Sequence, residues 1–88
     1  MAIEVTPRAI EVLKRALETG RMDPARVGVR LSVDRGGTLR TGFTEDPESG
    51  DATLDVGGVR LFVPPDVDGD RVLDVTGEHD QLMLRPRD

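Results

Sequence analysis

The sequence predicts an α+β domain, mainly β, in which one N-terminal helix covers a small sandwich of short strands. Three observations lead there. A single amphipathic helical repeat occupies "TPRAIEVLKRALETG", residues 6–20. "VGVRLSVD", residues 27–34, alternates apolar and polar residues without a break. "TLDVGGVRLFV", residues 53–63, sets two strand patterns on either side of a glycine pair.

The helix is expected to open at Thr6, whose hydroxyl can cap it, with Pro7 in the first turn, where a missing amide hydrogen costs nothing. It runs through "PRAIEVLKRALET" and stops at Gly20. Ile10, Leu13 and Leu17, flanked by Ala9 and Ala16, form its apolar stripe, while Arg8, Glu11, Lys14, Arg15 and Glu18 take the remaining surface. Glu11 and Arg15, four apart in the favourable order, suit a modest surface pair.

In the first strand Val27, Val29, Leu31 and Val33 share one face, and Gly28, Arg30, Ser32 and Asp34 share the other. "RGG" interrupts the pattern, "TLRTGFTED" resumes it around Leu39 and Phe43, and "PESGD" closes a second loop. Gly57 and Gly58 tolerate the positive backbone angles of a type I′ turn, which pairs Val56 with Val59, Leu54 with Leu61, and Asp55 with Arg60 as a cross-strand charge pair. Pro64-Pro65 ends that hairpin, "RVLDV" offers a further short strand and "QLMLR" the last, giving one helix followed by about five strands.

Eighty-eight residues make a single domain, 1–88. A chain this short buries only roughly 60 to 65% of the surface it exposes when unfolded, which favours pairing with itself or a partner. Its core is aliphatic, since Phe43 and Phe62 are the only aromatic residues. There is no cysteine, which removes disulfides, thiolate metal sites and cysteine nucleophiles. Net charge −5 and a pI near 4.8 argue against nucleic acid as a partner. No secretion signal or apolar run of bilayer length is present, so a soluble, cytoplasmic protein with no membrane partner is expected.

The acidic stretch "PPDVDGDRVLDVTGE" resembles a calcium loop. Counted from Asp66, the acidic positions Asp66, Asp68, Asp70 and Asp74 fall where oxygen ligands belong. The sixth position, however, is Arg71 where the sharp turn needs glycine, and the twelfth is Gly77, with Glu78 one residue late. An acidic surface loop is the simpler expectation. The single histidine, His79 in "GEHDQ", has no hydroxyl or thiol placed to make a nucleophilic pair, and Ser32, Thr38, Thr41, Thr44 and Ser49 suit strand and turn positions. "RGG" lacks the lysine and following helix of a phosphate loop, so a turn between strands is expected. The remaining carboxylates read as a solubility surface. No catalytic, cofactor-binding or metal residue is assigned, and no cofactor is expected.

Taken in order, "VTPRAIEVLKRALE", "VGVRLSVDRGG", an acidic turn, "DVGGVRLFVPPD", "VLDV" and "LMLRPRD" resemble the HesB/IscA-like A-type iron-sulfur carriers along almost the whole chain. The resemblance implies a compact HesB-like β-sandwich or pseudobarrel with helices packed on it. It also implies three cysteine ligands, one in the glycine-rich turn and two in a Cys-Gly-Cys tail beyond the last strand. Here the turn is "DRGGT", Arg85-Pro86-Arg87-Asp88 occupies the region that precedes the tail in the family, the tail itself is absent, and all three sulfurs are missing. The expected function is therefore a non-enzymatic HesB-like binding module, a homodimer or other homo-oligomer with a further protein as a second kind of partner. The alternative is a protein related to iron-sulfur cluster assembly that holds iron or another divalent ion on carboxylates and His79. An enzyme is the third and least supported reading.

Overall fold

The computed structural model describes residues 3–67, 69–77 and 81–86. Their order is β1 (Glu4–Val5), α1 (Pro7–Thr19), β2 (Gly28–Val33), β3 (Leu39–Thr44), β4 (Ala52–Val56), β5 (Val59–Val63), β6 (Arg71–Val75) and β7 (Leu82–Pro86). Four strands form one sheet in the order β3-β2-β5-β4, and three form a second in the order β1-β6-β7. Both sheets are mixed: β2 runs parallel to β5 and β1 parallel to β6, while the other neighbours are antiparallel.

Six strands follow the helix rather than about five, and β1 precedes it. Two residues carry no periodicity, so β1 exists only through its partner. Glu4 and Val5 pair with Val72 and Leu73, and the Thr6 amide extends the ladder to the Leu73 carbonyl at 3.0 Å. The resemblance implies helices packed on the sandwich and the sequence pattern a single N-terminal one; among the described residues that one, α1, is observed.

Thr6 caps α1 as its side chain allows, its Oγ1 accepting from the Ala9 amide at 3.2 Å. At the other end Gly20 is the last near-helical residue, with φ −80°, and the left-handed step falls on Arg21, with φ 54°. The Met22 amide donates to the Leu17 carbonyl at 2.9 Å and the Arg21 amide to that of Glu18 at 3.0 Å, the Schellman arrangement. Glycine therefore ends the helix without being the residue that reverses its hand. Half-buried Met22 packs against the core just beyond the cap.

The core lies between α1 and the two sheets. Ala9, Leu13 and Leu17 come from the helix, Val29 and Leu31 from β2, Val59, Leu61 and Val63 from β5, and Leu73 and Val75 from β6. The apolar face read in β2 is buried at Val29 and Leu31, with Val27 and Val33 half-buried at the rim, while Gly28 on the other face is buried as well. The β4–β5 hairpin has the expected register, Val56 with Val59, Leu54 with Leu61 and Asp55 with Arg60, whose side chains approach to 3.8 Å. Both turn glycines have positive φ, 56° and 84°, as a type I′ turn requires. Among the described residues, no helix is long and apolar enough to cross a membrane.

Candidate functional site

The turn between β2 and β3 is organised by a carboxylate. Asp34 Oδ1 accepts from the Gly36 and Thr38 amides, each at 2.9 Å, and Oδ2 receives Arg40 Nε at 3.4 Å. The backbone closes the same turn, with the Gly37 amide on the Asp34 carbonyl at 3.0 Å and the Asp34 amide on the Thr38 carbonyl at 3.1 Å. The Thr38 amide above all, with the Gly36 amide and Arg40, holds the Asp34 carboxyl below its ordinary value of 3.8. "RGG" is therefore a turn between strands, and its Gly36 and Gly37 amides, which could have faced a phosphate, are already satisfied. An aspartate two residues before glycine and four before threonine is an Asx-type signal that could have disclosed this in the sequence.

Beside this turn opens a cleft of about 320 Å³. Val33, Val67 and Leu84 give it apolar walls, while Asp34, Asp66 and Arg71 are its charged members. It joins the turn after β2, the loop after β5, the start of β6 and the middle of β7. The glycine-rich turn, where the resemblance places one cysteine, and the last strand, beyond which it places the other two, thus contribute to one cavity. In place of sulfur the described part of that cavity offers two carboxylates and a guanidinium, and one of those carboxylates, Asp34, already receives two amides and Arg40.

Two further carboxylates of the expected acidic surface, Asp51 and Asp74, are structural. Asp51, just before β4, reaches over β5 to Arg30 on β2: Arg30 Nε donates to Oδ2 at 2.9 Å and Nη2 to Oδ1 at 3.2 Å. Glu48 adds a contact of 2.7 Å to the same guanidinium, and its own amide donates to Asp51 Oδ2 at 2.9 Å. The Asp51 side chain is fully shielded from solvent. The Arg30 hydrogen bond, followed by the Glu48 amide, lowers the Asp51 carboxyl from 3.8, and the same bond raises Arg30. Since Arg30, Phe62 and Thr53 lie in register across three strands, this clamp runs over the face that carries Phe62.

Asp74 belongs to β6 and not to an acidic loop. It receives Arg85 Nε at 2.9 Å, the Val75 amide at 2.8 Å and Thr6 Oγ1 at 3.0 Å, so one carboxylate ties the helix start to two strands. Arg85 first, then the Val75 amide and Thr6, hold it below 3.8. The ninth position of the calcium reading is therefore engaged elsewhere. Asp68, Glu78, His79 and Asp80 lie outside the described residues. Among the described residues no three acidic or histidine side chains converge as a metal site would require.

These three aspartates predict an acid limb of stability. Each has a folded pKa below its unfolded one, so its contribution is complete above the ordinary 3.8 and is lost as pH falls through the lowered value. The thermal midpoint should vary little on their account from about pH 5 to 8 and fall below about pH 4. Asp51→Asn should shrink the drop measured between about pH 5 and pH 3. A drop as large as that of the unmodified chain would show that Asp51 does not contribute to it.

No protein-family model matches the sequence, and no curated protein matches it. Solved structures do. The chain is similar to the crystal structure of Escherichia coli SufA, involved in biosynthesis of iron-sulfur clusters, with a TM-score of 0.71 and 26% identity over 97% of this chain and 83% of that one. It is similar also to a protein from Aquifex aeolicus solved by solution NMR, with a TM-score of 0.71 and 22% identity over 97% of this chain and 91% of that one, a likeness of fold alone. The fold is HesB/IscA-like, as the order of motifs in the sequence implies.

Proposed function

We propose that this chain is a non-enzymatic binding module of HesB/IscA-like fold that serves iron-sulfur cluster assembly through protein contacts and carries no cluster on its own side chains. The observation behind this is the coincidence of a SufA-like fold over 97% of the chain with a sequence that has no cysteine. Protein-held clusters rest on thiolates, and carboxylate oxygens are hard donors poorly suited to iron bound to sulfide. The residues lining the cleft do not fit such a cluster. Asp34 there is committed to two amides and Arg40.

Anaerobic reconstitution with iron and sulfide should give no stable visible absorption. A brown, stoichiometric cluster on the unmodified chain would overturn the proposal. The companion variant is Gly36→Cys with Cys-Gly-Cys appended after Asp88. A Cβ at Gly36 meets only Asp34 Oδ1, at 3.5 Å, whereas Gly37 with φ 82° would strain any side chain. Partial cluster binding by that variant is the expected outcome if the scaffold keeps the geometry of its relatives.

The module is proposed to act as a homodimer. The outer strands β3 and β4 of one sheet, and β1 and β7 of the other, end hydrogen-bond ladders. Phe43 on β3 is the exposed large apolar side chain among the described residues, at 43%. Sedimentation at micromolar concentration should show a dimer. A monomer throughout that range, with a thermal midpoint unchanged on dilution, would count against it.

A further inference from the structure

We propose that the cleft beside the Asp34–Thr38 turn receives a lysine or arginine side chain from an extended segment of a protein partner. This rests on the reading of the chain as a binding module and names the chemistry its partner presents. The cavity of about 320 Å³ is at the small end for ligand pockets and suits one long side chain with its adjoining backbone.

The charges in it select the occupant. Asp34 is largely engaged, its Oδ1 by two amides and its Oδ2 by Arg40 at 3.4 Å. Asp66 is exposed and has neither a hydrogen bond nor an ion pair among the described residues, so it is the open acceptor. Arg30 is near enough to feel its charge, but its guanidinium is engaged by Asp51 and Glu48. Arg71, also exposed and unpaired among the described residues, is the open donor. A bare metal ion would face that guanidinium, and a simple anion would face two carboxylates. A basic residue within a peptide satisfies all of these groups: its ammonium or guanidinium meets Asp66, its methylene stem lies along Val33, Val67 and Leu84, and a backbone carbonyl accepts from Arg71. Exposed Asp70 and the net charge of −5 favour approach of a cationic segment over an acidic one.

The probe is the blocked tripeptide acetyl-Ala-Lys-Ala-amide, titrated into isotope-labelled protein and followed by amide chemical shifts. Shifts should concentrate at Gly37, Val67, Arg71 and Leu84, weaken with salt, and be absent with the norleucine and glutamate analogues. Asp66→Asn, a change at an exposed site, should weaken binding by about tenfold, the order expected for losing one charge-assisted hydrogen bond. Equal shifts from the norleucine peptide, shifts confined to other surfaces, or unchanged affinity in Asp66→Asn would each overturn the assignment. Iron-sulfide reconstitution of the same sample keeps the two ideas apart. A cluster there overturns the functional reading whatever the peptide does, while absent shifts without a cluster overturn this assignment alone.

Discussion

Gly28→Val should be among the most damaging single substitutions in this chain, lowering stability by about 3 kcal/mol and the thermal midpoint by roughly 12 to 24 °C. Gly28 opens β2 and is buried, opposite Thr44 of β3. A Cβ built there lies 2.6 Å from Phe62 Cε2, 2.9 Å from Cζ and 3.0 Å from the Arg60 carbonyl oxygen. None of these neighbours yields easily. The Phe62 ring is 1% exposed, and the Arg60 carbonyl belongs to β5, held between β2 and β4. Strand β2 must therefore move away from β5, which disturbs the pairing at the centre of the sheet. Gly42→Val is the matched control, since Gly42 lies on the edge strand β3 and a Cβ there meets nothing within 4 Å. Thermal unfolding that leaves Gly28→Val and Gly42→Val within a few degrees of each other would show that the close approach of Phe62 is not a constraint.

Gly57→Val is expected to cost about 2 to 5 kcal/mol, because two penalties coincide. A β-branched residue at φ 56° is strained wherever it sits, and a Cβ at Gly57 would lie 2.6 Å from Ile10 Cγ2 on the helix. That methyl group is carried directly on the Ile10 Cβ and has little freedom to swing aside. Gly58 separates the two effects. Its φ of 84° imposes the strain, but no atom lies within 4 Å of a Cβ there. Gly57→Val should therefore melt well below Gly58→Val, and Ile10→Ala should recover part of the difference through a favourable coupling. Identical midpoints for the two glycine variants would mean that the helix does not press on the hairpin turn.

The candidate site was only partly legible in the sequence. "DRGGT" was readable as a turn between strands, since two glycines between alternating patterns rarely mean anything else. That Asp34 satisfies the amides of this turn is encoded locally, in its spacing from Gly36 and Thr38. The cleft was not readable, because it is assembled from residues 34, 66, 71 and 84, which no periodicity connects. Arg30 likewise carries no local mark on the polar face of β2. Its partner Asp51 is 21 residues away, beyond a hairpin and a loop.

By itself the sequence determined the helix and its Thr6 cap, the buried face of β2, the register of the β4–β5 hairpin and the lack of any thiolate ligand. These are properties of neighbouring residues: a period of 3.6 or 2, a hydroxyl before a proline, two glycines that accept positive φ. Tertiary structure alone decided that β1 is a strand, that Arg21 rather than Gly20 takes the left-handed step, and that Asp51 and Asp74 are structural while Asp66 stays open. Each of these depends on what packs nearby rather than on what precedes it in the chain. The Thr6 hydroxyl shows both kinds of information at once. It accepts from Ala9 three residues on, which the sequence foretells, and donates to Asp74 sixty-eight residues away, which only the assembled sheets bring within reach.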